Sequence, residues 1–193
     1  MRFSYAPLVI ALLVTPAVAQ GQDRWGFDLR AGAALATADL GDADLDIGFG
    51  FEGTLMVRTM EHLFAYAGWD WHGFSADQSF AGTDIDFEET GYAFGLLFEH
   101  PLTDGVYPAI QLRAGGTASH IEVEDDAGAI IADSGHGVGW EAGAGLALSM
   151  GATWRITPGV RFRSLSRDLE IGTVTTPVDL RYVALEIGFS RLF

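Results

Sequence analysis

Between residues 25 and 193, apolar and polar side chains alternate with a period of two in eight separate segments. This period is typical of β-strands, because successive side chains of a strand point to opposite faces of the sheet. Turn-rich or acidic stretches separate the segments. The pattern therefore predicts strands over residues 25–37, 45–58, 63–74, 87–100, 107–120, 137–150, 154–167 and 179–193.

The two faces of the predicted strands differ in a way that indicates their surroundings. One face carries large apolar residues, such as Phe49, Phe51 and Leu55, and the other carries glycine, alanine and sparse charges of both signs. Small residues fit the crowded interior of a narrow barrel, and a lipid-facing charge costs about 2–4 kcal/mol at the midplane. On the first seven segments the apolar face is expected to be free of charge. The chain is therefore predicted to be all-β, an eight-stranded antiparallel up-and-down transmembrane β-barrel.

The alternative is a soluble periplasmic barrel, in which the same apolar face would point inward. Two further features favour the membrane. All five tryptophans fall near predicted strand ends, where interfacial aromatic girdles lie. The links also alternate in length, as outer-membrane barrels combine short periplasmic turns with longer external loops. The links at 58–63, 101–107 and 150–154 are short, and those at 38–44, 75–86, 121–136 and 168–178 are longer and acidic.

The first 19 residues have the features of a secretory signal peptide. Arg2 supplies a positive charge, residues 8–14 are apolar, and Ala17-Val18-Ala19 resembles a cleavage site. We therefore expect residues 1–19 to be removed and residues 20–193 to form a single barrel domain.

Composition excludes several classes of function. The formal charge of −15 disfavours nucleic acid as a partner, because phosphate contacts need cations. With no cysteine, the chain has no thiolate metal site and no cysteine nucleophile. The segment 48–53 fits a glycine-rich dinucleotide motif, but it continues as strand where that motif needs a helix. Residues 42–48 lack the glycine and glutamate of an EF-hand loop. We expect no cofactor.

Several charged residues fall on the positions that face the lumen, which predicts a network of ion pairs there. The seventh predicted strand lies beside the sixth and the eighth, so Arg161 and Arg163 could meet Glu141 and Glu186. Either a solid salt-bridged interior or a narrow ion-conducting pore fits this pattern. The predicted network comprises Asp28, Arg30, Glu52, Asp70, Glu99, Arg113, Glu141, Arg161, Arg163 and Glu186.

Two chemical alternatives involve the external loops. Ser119, His120 and Glu122, or Ser134 and His136, could form a hydrolytic triad near the outer rim. The acidic clusters 84–89 and 122–126 could contact divalent cations that bridge to anionic lipopolysaccharide.

The segment from Tyr182 to Phe193 carries a family resemblance, together with the signal peptide, the strand count and the loop alternation. The chain resembles the small eight-stranded outer-membrane barrels of Gram-negative bacteria, the opacity-protein and OmpA/OmpX-like group with OmpW-like relatives. Arg191 departs from the apolar residue usual at its place. The resemblance implies a signal for the barrel-assembly machinery formed by Val183, Leu185, Ile187, Phe189 and Phe193.

The resemblance also implies a function. It predicts a non-enzymatic, monomeric protein of the cell outer membrane with a structural or surface-interaction role, such as a surface antigen. Its partners would be outer-membrane lipid, lipopolysaccharide and the barrel-assembly machinery. A narrow porin-like pore and a lipid A-modifying hydrolase stay open as alternatives.

Overall fold

The computed structural model describes residues 24–103, 107–151, 153–171 and 174–193, so the predicted signal peptide and its cleavage site lie outside the described residues. All regular structure in these residues is β-strand. The strands are β1 (Trp25–Ala36), β2 (Gly48–Met60), β3 (Leu63–Ser79), β4 (Gly82–Pro101), β5 (Ala109–Glu124), β6 (Ile130–Asp133), β7 (Gly137–Met150), β8 (Trp154–Ile171) and β9 (Val174–Leu192).

Eight of these strands close into an antiparallel barrel. Each pairs with its neighbour in the order β1, β2, β3, β4, β5, β7, β8, β9, and β9 pairs back with β1. The two ends of the barrel lie side by side, because Trp25 and Phe193 exchange backbone hydrogen bonds of 3.0 and 2.7 Å. Closure pairs the edge strands, which backbone inside lipid requires. The predicted fold class is confirmed.

The two faces of the barrel wall have the predicted orientation. Leu29, Leu55 and Leu185 are 55%, 55% and 57% exposed on the outside, whereas Arg30 and Glu52 are only 5% and 2% exposed inside. Such an outer surface is stable in hydrocarbon and not in water. No helix within the described ranges is long and apolar enough to cross a membrane.

The strands extend further than the sequence pattern predicted, and three predicted loops are largely strand. Residues 75–86 form the ends of β3 and β4 around a turn at Phe80 and Ala81. Most of 168–178 continues β8 and β9, and 121–136 contains the end of β5 and the extra strand β6. By contrast, β2 and β5 begin at Gly48 and Ala109, slightly later than predicted.

The physical reason is that the apolar residues change from the outer face to the inner face of the wall along each of these strands. Near the extracellular end, Phe74 and Phe87 are buried inside, whereas Ser75 and Asp86 are exposed outside. Water replaces lipid around this part of the wall, so the apolar side chains turn to the interior. A sequence search that expects apolar residues on the outward-facing positions therefore ends each strand at the point where the apolar side chains change to the inner face.

Two expectations about the outer face were wrong in detail. Glu88 lies within the fourth predicted segment but on the outer parity, where it accepts a 3.0 Å hydrogen bond from Trp71 Nε1. Trp69 and Trp71 lie in the middle of β3 and not near its end, because β3 continues to Ser79. Both differences arise from the extension of the strands beyond the apolar band.

Apolar clusters lie inside the barrel towards both ends. The extracellular cluster includes Leu40 and Leu45 from the β1–β2 loop, packed with Phe74 and Phe87. The loop is also joined to the β3–β4 turn, because the Phe80 N–H donates a 2.7 Å hydrogen bond to Asp42. The periplasmic cluster contains Met56, Phe64, Tyr66, Ala93, Leu97 and Leu192. Charged side chains fill the space between these clusters.

Candidate functional site

The lumen holds a concentration of buried charge that is unusual for a domain of this size. Alternation on all eight barrel strands points these side chains inward. Burying them without partners would be costly, so their contacts determine whether the barrel is stable. The buried charged groups among the described residues are seven carboxylates, Asp28, Glu52, Asp70, Glu89, Glu99, Glu141 and Glu186, and six arginines, Arg30, Arg113, Arg155, Arg161, Arg163 and Arg167.

Two arginines share two glutamates at the centre of the network. Arg113 lies 2.8 Å from Glu52 and 2.7 Å from Glu141. Arg161 pairs with Glu52 and lies 3.2 Å from Glu141 and 3.0 Å from Glu186. Each carboxylate thus has two or more cationic partners, which compensates for its removal from water.

Arg163 forms the extracellular side of the network. Its guanidinium donates to both oxygens of Asp70, at 2.9 and 2.7 Å, and contacts Glu89 at 3.1 Å and Glu141 at 2.7 Å. Glu89 also accepts a 2.7 Å hydrogen bond from the Tyr182 hydroxyl. Arg163 is therefore the hub to which carboxylates from three other strands connect.

The periplasmic side consists of two groups that Gln111 connects. Arg30 lies 3.0 Å from both Asp28 and Glu186, and it donates a 3.1 Å hydrogen bond to Gln111 Oε1. Gln111 Nε2 in turn donates to Glu99 at 3.0 Å. Glu99 also pairs with Arg155 at 2.7 Å.

Several members of this network were not predicted as such. Glu89 was assigned to an acidic loop cluster, yet it is fully buried in the lumen. It lies in the predicted segment 87–100, on the same face as Gly91 and Ala93, which the pattern already placed inside, so the same rule would have identified it. Tyr66, which donates a 2.7 Å hydrogen bond to Glu141, was not predicted as a member of the network. A tyrosine on a lumen-facing position does not indicate from sequence whether it packs or hydrogen-bonds to a charged group.

Glycines give these side chains room, and Gly95 provides a test. A Cβ at Gly95 would lie 2.3 Å from the Ala114 carbonyl oxygen and 2.6 Å from the Tyr66 hydroxyl. Since one contact is backbone, β4 and β5 must shift, and we expect Gly95→Ala to lower the free energy of unfolding by about 1–3 kcal/mol. Urea unfolding in detergent micelles, followed by tryptophan fluorescence, measures this.

The matched control is Gly53→Ala on the outer face of β2. A Cβ there meets only the Leu29 side chain, at 3.4 Å, which is an ordinary contact. A loss of stability as large as that of Gly95→Ala would show that the crowded lumen is not the cause.

The predicted assembly-signal residues line the outer face of β9. Leu185, Ile187, Phe189 and Phe193 are 57%, 51%, 44% and 48% exposed, and Val183 is partly buried. Arg191 lies in the same row, with its guanidinium 5.7 Å from the centre of the Trp154 ring. This cation–π contact accommodates the charge that departs from the family pattern.

The strand alternation separates the residues of the first hydrolytic alternative. The Ser119 hydroxyl points into the lumen and donates a 3.0 Å hydrogen bond to Glu89, whereas His120 lies on the outer face. In the second alternative, the Ser134 hydroxyl donates to the Gly135 carbonyl at 3.0 Å. Neither serine therefore has the hydrogen bond to histidine by which a triad is recognised.

Carboxylates line the outer face above the apolar band on β4, β5 and β6. Glu122 lies directly opposite Glu88 on one side and Asp133 on the other, and Asp86 lies opposite Glu124. Partial burial and the neighbouring carboxylates of Glu88 and Glu122 raise the pKa of Glu124. We call Asp86, Glu88, Glu122, Glu124 and Asp133 the acidic collar.

One histidine lies within the acidic collar. His120 Nδ1 is 3.1 Å from Asp133 and 3.9 Å from Glu122, and the His136 ring stacks on His120 at a centroid distance of 4.6 Å. Although partial burial opposes it, the Gly135 N–H and His120 hold the pKa of Asp133 below its usual range. The collar thus combines imidazole nitrogen and carboxylate oxygen at the outer surface.

Comparison with known proteins identifies the barrel. A family model described as "Outer membrane protein beta-barrel domain" matches residues 6–193. The chain belongs to this family. The outer-membrane barrel is therefore a protein of the cell outer membrane, as predicted, and the resemblance to small Gram-negative barrels is confirmed. No curated protein matches the chain.

Solved structures share the architecture of this outer-membrane barrel at low sequence identity. The crystal structure of Neisserial surface protein A has a TM-score of 0.63 and 19% identity, covering 88% of this chain and 97% of that one. OprG from Pseudomonas aeruginosa gives 0.56 and 14%, covering 90% and 98%. AlkL, solved in lipid bilayers, gives 0.53 and 14%, covering 93% and 95%. These likenesses show the fold.

Proposed function

We propose that the protein is a non-enzymatic, non-conducting outer-membrane barrel with a structural and surface-facing role. Its rigid wall would span the outer membrane and present the acidic collar and loops to the exterior. We propose that it acts as a monomer, because ring closure leaves its barrel strands paired on both sides.

The observation that carries this proposal is the set of direct contacts across the lumen. Three contacts connect strands on opposite sides of the eight-membered ring: Arg163 of β8 to Asp70 of β3, Tyr182 of β9 to Glu89 of β4, and Arg30 of β1 to Gln111 of β5. An eight-stranded barrel is just wide enough for side chains to fill. Such cross-links occupy the path that an ion would need, and the apolar clusters flank them.

The proposed partners follow from the outer surface. The apolar band, including Leu29, Leu55 and Phe94, would contact outer-membrane lipid and the acyl chains of lipopolysaccharide. The outward row of β9 that ends at Phe193 would be the signal for the barrel-assembly machinery. The negative formal charge supports a partner other than nucleic acid.

Planar-bilayer recording tests the absence of conduction. We expect the refolded barrel to insert, to show heat-modifiable migration on gels, and to produce no discrete conductance steps, because its lumen is cross-linked at mid-height. A general porin in the same bilayers is the positive control. Steady unitary steps that change in Arg161→Ala would contradict the proposal and establish the narrow pore instead.

A second measurement addresses the hydrolase alternative. Lipid A from cells that express the barrel is expected to keep the mass it has in cells without the barrel, since Ser119 and His120 lie on opposite faces of β5. A mass change that Ser119→Ala or His120→Ala abolishes would show that the protein is an enzyme.

A further inference from the structure

The β5–β6 hairpin places three metal-ligating side chains together on the outside of the barrel. His120 and Glu122 are two residues apart on β5 and so share a face. Asp133 of β6 lies directly opposite Glu122. One ligand atom from each residue lies within 4.8 Å of the other two. The three side chains therefore converge on one small region outside the lumen.

The spacing is close to that of a bound transition metal. A tetrahedral zinc ion with bonds of about 2.0–2.2 Å holds its ligand atoms roughly 3.4 Å apart. His120 Nδ1 lies 3.1 Å from Asp133 Oδ1 and 3.9 Å from Glu122 Oε1, distances on either side of that value. The third pair, Glu122 and Asp133, lies within 4.8 Å, so an ion would have to draw these side chains slightly closer together.

The backbone around these ligands is fixed by the hairpin. Between the two β5 ligands, the Ile121 N–H donates to the Ser134 hydroxyl at 2.8 Å, and the Ser134 N–H donates to the Ile121 carbonyl at 2.9 Å. The Gly135 N–H donates to Asp133 Oδ1 at 2.7 Å. A metal would therefore meet ligands that are already oriented, which lowers the entropic cost of binding.

The electrostatic surroundings also favour a cation. Glu88, Glu122 and Asp133 form a row of carboxylates on three adjacent strands, and like charges directly opposite one another destabilise a sheet. Among the ion pairs of the described residues, none joins an arginine to Glu88, Glu122 or Asp133. A divalent ion would offset two of the three negative charges of this row.

We propose that His120, Glu122 and Asp133 form a binding site for a divalent transition metal of the zinc class at the extracellular end of the barrel. The imidazole selects zinc-class metals over Mg²⁺ and Ca²⁺, which prefer all-oxygen sites. Three protein ligands leave a fourth position for water. The His136 ring, stacked on His120, forms one wall of the site.

Zinc titration of the refolded, untagged barrel tests the proposal. We expect one saturable Zn²⁺ site in calorimetry and tetrahedral absorption bands with Co²⁺ as the probe. His120→Ala, Glu122→Gln and Asp133→Asn should each weaken Zn²⁺ binding by at least about 10- to 100-fold. Heat-modifiable migration verifies that each variant is folded, so loss of binding is not loss of the barrel.

Two controls make the result decisive. The periplasmic histidines His62 and His100, whose rings are 5.6 Å apart, are a second imidazole pair that could bind Zn²⁺, and His62→Ala with His100→Ala should leave binding unchanged. Glu124→Gln removes a collar carboxylate outside the three-residue set and should weaken binding far less than Glu122→Gln. Absence of saturable binding, equal competition by Ca²⁺, or loss only in the His62/His100 variant would overturn the proposal.

Discussion

Replacing Arg163 with methionine is expected to lower the free energy of unfolding by about 3–5 kcal/mol, because a buried charge without its partner is strongly destabilising. Arg163 is fully buried and contacts Asp70, Glu89 and Glu141 at 2.7–3.1 Å. Methionine keeps much of the volume but leaves these carboxylates without their shared cation. Urea unfolding of the barrel in lipid vesicles, followed by gel mobility, measures the loss.

Arg181→Met is the matched control for this substitution. Arg181 pairs with Asp179 at 2.9 Å, but both side chains are about half exposed, so its removal should change stability by less than about 0.5 kcal/mol. Adding Asp70→Asn to Arg163→Met should restore part of the lost stability. Equal effects of the two arginine substitutions would mean that the lumen network does not stabilise the barrel.

Leu29→Arg is expected to destabilise the barrel by about 2–4 kcal/mol, the cost of a lipid-facing arginine near the midplane. Leu29 is 55% exposed on the outer face of β1, between Gly53 of β2 and Phe189 of β9. The neighbouring side chains are apolar or absent, so the new charge would have no partner and would face hydrocarbon. Unfolding in vesicles of defined lipid gives the difference in free energy.

Thr175→Arg places the same charge on the outer parity of β9, beyond the apolar band. Thr175 is exposed and lies opposite Glu170, so we expect a change of less than about 0.5 kcal/mol. If the two arginine variants unfolded at the same urea concentration, the apolar outer face would not be lipid-facing, and the assignment of the membrane band would fail.

Much of the charged interior could be predicted because lumen residues alternate with lipid-facing ones inside the band. Arg161 and Glu141 were assigned to the inside from parity alone. Their pairing followed from strand adjacency, and the structure places them 3.2 Å apart. Glu99 shows the limit of this reasoning. Its partner Gln111 lies directly opposite on the neighbouring strand β5, but its ionic partner Arg155 lies on β8, which does not pair with β4. Which charges meet across a lumen depends on stagger and side-chain length.

The collar residues show what the pattern missed and why. Glu122 and Asp133 fall in the link 121–136, which was predicted to be an external loop. Glu88 falls in the fourth predicted segment but was grouped with an acidic loop cluster. The strands in fact continue above the membrane, where the outer face is wet and the inner face apolar. The interpretation was wrong because it expected an apolar outer face on parts of the strands that lie outside the membrane.

The amino-acid sequence by itself determined the β class, the orientation of the wall and the location. Large apolar residues alternate with glycine, alanine and sparse charges of both signs, and such a second face fits a narrow lumen and not a water-exposed surface. Tertiary structure decided the strand lengths, the short strand β6 and the partners of each buried charge. It also brought His120, Glu122 and Asp133 together. These features depend on register and closure, which bring distant residues into contact, and a local period of two contains no information about either.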